Sequence, residues 1–215
     1  MTAITSPAPL PPGQQHVVLH DVSWDLYQHL LAEVGDGAIR LTFDDGSLEI
    51  MSPLPKHESW KKRIGRMIEI VSLELDISMV PLGSTTFARQ DLQKGLEPDE
   101  CYYIQHAADV FGKDELDLTV DPPPDLAVEV DVTSRSVRRE PIYAALGVPE
   151  IWRFADGRLR VLRLGRNGRY RAVSQSRCFP FLPMPTFERF LLRLEREDQT
   201  SVLREFRDWV RTLQR

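Results

Sequence analysis

A short acidic segment is the part of the sequence whose residue types and spacing are best suited to chemistry. Residues 125–132 read Asp-Leu-Ala-Val-Glu-Val-Asp-Val. With the two-residue period of a β-strand, the leucine and valines share one face, and Glu129 and Asp131 point to the other. Neighbours on one face lie about 6.6 Å apart, so these carboxylates repel each other unless a positive charge lies between them. The pattern fits a half-buried strand with one face in water. It fits equally a carboxylate cluster that holds a hard divalent cation such as Mg²⁺.

Two other acidic residues could complete such a cluster. Asp99 follows Pro98 and precedes residues 102–104, whose types favour a strand. Glu58 lies in the first turn of a helix predicted from about residue 57 to residue 76, where a carboxylate is favourable against the helix dipole. Glu58 therefore either stabilises the helix start or reaches the carboxylate cluster. The basic residues on the other face of this helix indicate solvation or, less often, contact with phosphate.

Composition limits the class of protein. The chain has 215 residues, of which 42% are hydrophobic and 27% charged, which is typical of one globular domain with its own core. No apolar run approaches the roughly 20 residues of a membrane span, and the first residues lack a secretion signal. Cys101 and Cys178 fit no metal or redox spacing. We therefore expect a cytoplasmic protein with no membrane association.

Charge is distributed unevenly along the chain. The net charge of −5 combines −14 in residues 1–134 with +9 in residues 135–215. Seven arginines lie between Arg153 and Arg171. They indicate either a solvated hairpin face or a phosphate-binding patch. The acidic chain as a whole argues against a nucleic-acid partner, but a basic region beside an acidic pocket weakens that objection.

The remaining elements follow from periodicity and turn residues. Residues 1–15 are rich in proline, alanine and serine and are predicted to be a disordered tail. Helices are predicted at 24–34, where Ser23 is the N-cap, and at 138–146. A hairpin turns at Asp45-Gly46, and three strands form a meander over 150–173. The polar residues 89–97 are predicted to be a mobile loop. The domain then spans residues 16–185, and two helices in residues 186–215 pack on its core or on a partner subunit.

Five segments resemble the putative restriction endonuclease family of the PD-(D/E)XK nuclease superfamily. They cover roughly residues 22 to 155 in order, and each is short. The segments are residues 48–53 (LEIMSP), His57-Glu58, residues 96–103 (LEPDECYY), residues 123–130 (PPDLAVEV) and residues 143–152 (YAALGVPEIW). The resemblance implies an α/β (α+β) fold with a restriction-endonuclease-like mixed central β-sheet flanked by helices. It also implies hydrolysis of DNA phosphodiester bonds with Mg²⁺ or Mn²⁺.

The resemblance assigns roles to particular residues. Asp99 and Glu129 would hold the metal, with the backbone carbonyl of Val130 as a third ligand. Glu58 would assist on the metal side or through a water molecule. A metal in this position polarises the phosphate and lowers the pKa of a bound water. A homodimer is expected, because paired strand cuts suit two-fold symmetry.

The sequence departs from the superfamily at its usual lysine. The residue two positions after Glu129 is Asp131 rather than lysine. Members of the closer family commonly carry that lysine on the following helix, where this chain has Arg139. Arginine can bind phosphate but stays protonated and cannot act as a base. The sequence therefore indicates a metal-dependent endonuclease or, as the alternative, a catalytically weak or inactive nucleic-acid-binding module on the same fold.

Overall fold

The computed structural model describes residues 15–35, 39–131 and 137–213. In this part of the chain there are eleven strands, six α-helices and one short 3-10 helix. In chain order the elements are β1 (Gln15–Leu19), α1 (Trp24–Val34), β2 (Arg40–Asp44), β3 (Ser47–Ser52), α2 (Pro55–Glu74), β4 (Val80–Pro81), β5 (Phe87–Arg89), the 3-10 helix (Gln90–Leu92), β6 (Lys94–Leu96), β7 (Glu100–Tyr103), α3 (Ala107–Val110), β8 (Leu126–Asp131), α4 (Arg139–Leu146), β9 (Glu150–Ala155), β10 (Arg158–Leu164), β11 (Tyr170–Val173), α5 (Met184–Arg193) and α6 (Gln199–Val210).

The described strands form two sheets. The larger sheet has the order β11-β10-β9-β8-β7-β4, and the smaller has the order β1-β3-β2-β6-β5. The larger sheet is mixed, because β8 and β9 run parallel while its other pairs are antiparallel. Strand β8 lies inside this sheet, between β7 and β9. The expected α+β fold with a mixed central sheet flanked by helices is confirmed. The smaller sheet is a second sheet that the sequence did not predict as distinct from the central one.

Strand β8 is buried on both faces. Val128 and Val130 pack with residues of α2, α5 and α6 in one core cluster. Ala127, on the opposite face, packs with Tyr143 and Ile142 of α4 in a second cluster. Of the two alternatives for this segment, the half-buried strand with one face in water is therefore wrong. Helix α4, the β5–β6 strands and α3 cover the face that carries Glu129 and Asp131.

Local sequence signals explain most element boundaries. The Ser23 hydroxyl accepts a hydrogen bond from the Leu26 N–H at 3.2 Å, so the predicted N-cap of α1 is confirmed. Helix α2 begins two residues before the predicted start, because Pro55 occupies its first turn, where proline has no N–H to leave unpaired. Gly147 ends α4 with a φ of 83°, a conformation that glycine adopts without steric cost.

Two expectations need correction or lie outside the described residues. Residues 89–97 are not simply a loop, because they contain the 3-10 helix and β6, and Gly95 and Leu96 are buried. Residues 1–14 of the predicted tail lie outside the described residues, as does residue 132 of the acidic segment. Gln15, which the composition assigns to the tail, begins β1.

In the described ranges, no helix has the length and apolar character that crossing a membrane requires.

Candidate functional site

The start of β7 brings Asp99 against β8 on both sides of Glu129. The Asp99 N–H donates to the Val128 carbonyl at 3.2 Å, and the Val130 N–H donates to Asp99 Oδ2 at 2.7 Å. Asp99 and Glu129 are only 2% and 4% exposed. Two acids separated by 30 positions in the sequence are thus neighbours in one buried site. Their convergence follows from the antiparallel pairing of β7 with β8.

His57 contacts the same carboxylate oxygen of Asp99 as the Val130 N–H does. It lies in the first turn of α2, is 1% exposed, and its Nε2 is 3.1 Å from Asp99 Oδ2. Its other ring nitrogen, Nδ1, is 3.4 Å from Glu58 Oε1. The His57 imidazole therefore lies between the more exposed Glu58 carboxylate and the buried Asp99 carboxylate, within 4 Å of both. Glu58 reaches the site through this imidazole.

Lys61 places a buried cation one helical turn further along α2. Its side chain is 7% exposed, and its Nζ is 3.5 Å from Glu58 Oε2 and 2.8 Å from Ser84 Oγ. The Ser84 hydroxyl donates in turn to the Asp99 carbonyl at 3.2 Å. The basic face of α2 is thus not only a solvated surface, since one of its lysines is buried beside the acids.

Glu129 contacts two residues of α4. Arg139 Nη1 donates to Glu129 Oε2 at 3.0 Å, and the Tyr143 hydroxyl donates to Glu129 Oε1. Arg139 also donates to the Glu97 carbonyl. Burial, and the negative charge of Glu129, raise the pKa of the Tyr143 hydroxyl well above its usual value. Tyr143 therefore stays protonated and fixes the carboxylate orientation, while Arg139 offsets its charge.

Asp131 is paired with a different arginine. Arg153 on β9 donates from Nε to Asp131 Oδ2 at 2.5 Å and from Nη1 to Glu140 Oε1 at 2.8 Å. The repulsion expected between Glu129 and Asp131 is thus relieved by two separate guanidinium groups. This pairing also limits the extra negative charge that Asp131 brings to the place of the usual lysine.

A second acid–base pair borders the site. Arg40 Nη1 donates to Glu97 Oε2 at 2.9 Å, and Arg40 Nη2 donates to Ser84 Oγ at 3.0 Å. Burial raises the pKa of the Glu97 carboxyl, and the Arg40 charge opposes that rise. Burial likewise raises the pKa of Glu100, the residue after Asp99. Acidic and basic side chains thus alternate through a buried network, in which each charge has a compensating neighbour.

Two adjoining clefts lie on the side of the sheet that carries Glu129. The first, of about 200 Å³, contains Glu129, Asp131, Arg139 and Tyr143 in its walls. The second, of about 620 Å³, runs along β10 to the β10–β11 turn. Both are bordered by Arg138, Glu140, Arg153 and Leu162. The two clefts thus adjoin each other between Glu129 and the arginine-rich meander.

The donor set is compatible with Mg²⁺ in its chemistry. Mg²⁺ prefers oxygen ligands and is commonly held by one or two carboxylates while it keeps several waters. Asp99 and Glu129 supply such oxygens. The Val130 N–H points to Asp99, and in a strand the carbonyl of a residue leaves on the same side as its N–H. In the described ranges, no group of three or more His, Cys, Asp or Glu side chains is arranged to hold a metal ion.

Sequence reasoning identified part of this arrangement. The structure brings together Asp99, Glu129 and Arg139, and it links Glu58 to them through His57. The bridging role of His57 and the burial of Lys61 were missed. Helical spacing offered a signal, because Lys61 lies four residues after His57 and three residues after Glu58, and both spacings bring side chains together on a helix. The contact of Arg139 with the Glu97 carbonyl had no such signal, because it depends on the packing of α4 against β6.

Comparison with protein-family models gives a match over most of the chain. Residues 24–210 match the family model of Uma2, described as putative restriction endonuclease. No curated protein matches the chain at a significant level. The matched range contains both sheets except β1, all six α-helices, and each residue of the site described above. This chain therefore belongs to the Uma2 family of putative restriction endonucleases.

Proposed function

We propose that the protein is a metal-dependent endonuclease that hydrolyses phosphodiester bonds in DNA. The observation that carries this proposal is the placement of Asp99 against both backbone neighbours of Glu129, in a buried site that opens into a cleft bordered by arginines. Membership of a restriction endonuclease family supports the reaction class and the DNA substrate. Because this chain lacks the lysine that is usual in the superfamily, other basic side chains of the site would have to stabilise the charge on the phosphate.

Asp99, Glu129 and the Val130 carbonyl are the groups that would hold Mg²⁺ or Mn²⁺. When bound, such an ion supplies Lewis acidity to the phosphate and lowers the pKa of a coordinated water. His57 orients Asp99 through its Nε2, and Tyr143 orients Glu129 through its hydroxyl. These hydrogen bonds fix the carboxylates before a ligand binds, which reduces the cost of organising the site.

The cations of the site stabilise charge on the phosphate. Arg139 is positioned to exchange its contact with Glu129 for a contact with a phosphate oxygen, because its planar guanidinium binds either group in the same manner. Because an arginine side chain does not act as a base, proton removal from the attacking water falls to a carboxylate or to bulk solvent. Glu58, which is 38% exposed and contacts His57, is the accessible carboxylate for that role.

A plasmid-nicking assay tests the proposal. Wild-type protein is expected to nick DNA with Mg²⁺ or Mn²⁺ and to lose this activity with a chelator. Asp99→Asn and Glu129→Gln should each reduce the rate by at least about 100-fold, since each removes a charged ligand. Asp91→Asn, which alters an exposed carboxylate paired with Arg89, is the matched control and should keep the wild-type rate. Cleavage that survives unchanged in both site variants contradicts the proposal.

A non-catalytic nucleic-acid-binding module is the second candidate. The contact of Arg139 with Glu129 favours it, because a guanidinium already compensates the carboxylate that a metal would require. This candidate predicts salt-dependent DNA binding with no cleavage at any metal concentration. Cleavage that depends on both metal and Glu129 eliminates it.

A further inference from the structure

A row of charged residues crosses three strands of the central sheet, from β8 at the buried site to β10. Glu129 on β8 is the register partner of Arg153 on β9, and Arg153 is the register partner of Arg160 on β10. Register partners on neighbouring strands point to the same face of a sheet. The face that carries Glu129 therefore changes from acidic to basic within three strands.

The two arginines in this row face each other directly. Like charges in such a position are destabilising. Arg153 is neutralised by Asp131 and Glu140, but Arg160 is exposed and has no carboxylate within ion-pair distance among the described residues. An unneutralised guanidinium beside a second one is the arrangement that an external anion would stabilise.

The larger cleft collects further arginines around this position. Arg138 at the start of α4 and Arg169 in the β10–β11 turn line it together with Arg153 and Arg160. Arg138 and Arg169 are exposed and, within the described part of the chain, form no ion pair. Glu140 is the acidic residue in this wall, and Arg153 contacts it. The larger cleft thus presents uncompensated positive charge, and it shares Arg138 with the smaller cleft at Glu129.

We propose that this groove, lined by Arg138, Arg160 and Arg169, binds the sugar-phosphate backbone of DNA and directs one strand toward Glu129. The inference rests on the proposed function for its ligand and extends it to a surface outside the catalytic residues. Guanidinium groups match phosphate oxygens in geometry and charge. Contacts of this kind position nucleic acid without reading its sequence. An acidic protein is the other class of partner that such a groove would suit.

DNA binding measured without metal tests the groove separately from cleavage. The full chain is titrated with a short fluorescein-labelled duplex in the presence of EDTA, and anisotropy is followed from about 50 to 200 mM salt. The double variant Arg160→Gln/Arg169→Gln should weaken binding at least tenfold. The salt dependence should also weaken: the negative slope of the logarithm of the binding constant against the logarithm of the salt concentration should become shallower by roughly 2, since each lost phosphate contact contributes about 0.9.

A matched control lies on the opposite side of the sheet. Arg189→Gln/Arg196→Gln removes the same charge from exposed positions in and after α5, a helix that packs on the other face. This control should keep the wild-type affinity within about twofold and most of the salt slope. Equal weakening by both double variants would mean that only net charge matters, and it would overturn the groove. Thermal melting of each variant, together with Arg160→Lys, which keeps the charge, excludes a folding defect as the cause.

The outcomes separate this inference from the proposed function. Arginine-dependent binding without any metal-dependent cleavage supports the groove and contradicts the nuclease. Cleavage that requires Glu129 but is unaffected by Arg160→Gln/Arg169→Gln supports the nuclease and overturns the groove. Wild-type protein that binds poly-glutamate but not duplex DNA also overturns the inference, in favour of an acidic protein partner.

Discussion

Glu129 is a buried carboxylate whose charge is compensated from within the chain. Arg139 and Tyr143 occupy its two oxygens, and Arg139 also reaches the Glu97 carbonyl. Removing one partner of a buried ion pair commonly costs 3–5 kcal/mol, because the other charge is left uncompensated. Arg139 therefore has two roles that oppose each other: it stabilises the folded site, and it competes with any cation that binds Glu129.

Replacement of Arg139 by lysine separates these two roles. The ammonium group of lysine is a compact charge without the planar fork by which Arg139 contacts Glu129 and the Glu97 carbonyl together. Arg139→Lys should therefore lower the free energy of unfolding by about 1 kcal/mol, the value of one lost hydrogen bond. It should also raise metal-dependent nicking by at least about tenfold, since a lysine can shift its pKa and transfer a proton.

Two measurements check this prediction. Denaturant unfolding gives the stability change, and initial nicking rates in Mg²⁺ give the activity. Arg189→Lys on α5 is the control for the arginine-to-lysine change at an exposed position and should alter neither quantity. A slower rate in Arg139→Lys would contradict the prediction and would show that the bidentate guanidinium itself is needed at the phosphate.

The sequence identified the acidic residues of the site more readily than the side chains that contact them. Glu129 follows from the alternation of β8, whereas the positions of Asp99 and Arg139 depended on the resemblance to a nuclease family. The position of His57 between Glu58 and Asp99 could not be read from its residue type alone, although its spacing of four residues from Lys61 is visible in the sequence. Partner choice depends on the distance between elements, which a one-dimensional pattern does not contain.

Elements with a regular period were predicted well, and short irregular ones were not. The β2–β3 hairpin, the β9–β11 meander and α1 all follow strong alternation or helical spacing. Strand β6 has three residues, too few to show a period. It pairs with both β2 and β5 and is buried at Gly95 and Leu96. Tertiary packing therefore made a strand from a segment whose composition favours a loop.

The lack of a side chain at Gly95 allows β6 to lie against Tyr27. A Cβ added at Gly95 would lie 2.2 Å from the Tyr27 hydroxyl oxygen and 2.8 Å from a ring carbon. Tyr27 is fully buried and stacks on Phe43, so it has no room to withdraw. Gly95→Ala should lower the free energy of unfolding by about 1–3 kcal/mol, the usual cost of overpacking a core.

Chemical denaturation of single and double variants measures this contact. Tyr27→Leu removes the ring, so the cost of Gly95→Ala should be smaller in that background than in the wild type. The difference between the two costs is the coupling energy of the pair. Additive effects of the two substitutions would contradict the close-contact explanation.

For the whole molecule, the uneven charge of the chain becomes a spatial arrangement. The acidic first part supplies Asp99 and Glu129, and the basic second part supplies Arg139, Arg153 and Arg160. Parallel pairing of β8 with β9 places the two parts side by side. The sequence predicted both charge regions but not their contact, because that contact follows from the strand order. Charge sums indicate a nucleic-acid partner only once the fold shows where the basic residues lie.

The apolar face of helix α6 packs within its own chain. The sequence allowed its apolar face to pack on the core or on a second copy of the protein. In this structure Val202, Phe206 and Val210 are buried in the cluster that also contains residues of α2 and α5. Phe206 contacts the rings of Phe187 and Phe190 edge to face. The apolar face is thus occupied within one chain, so a homodimer, if formed, should use another surface.

Phe206→Ala distinguishes core packing from subunit contact. The substitution should cost about 3–5 kcal/mol of stability, as expected for a fully buried phenylalanine, while leaving the mass in solution unchanged. Light scattering should give about twice the chain mass of 24.7 kDa for both wild type and variant if the expected homodimer forms. Arg204→Ala, at an exposed position of the same helix, is the control and should alter neither stability nor mass. A variant that keeps wild-type stability but falls from dimer to monomer would instead place the subunit interface on α6.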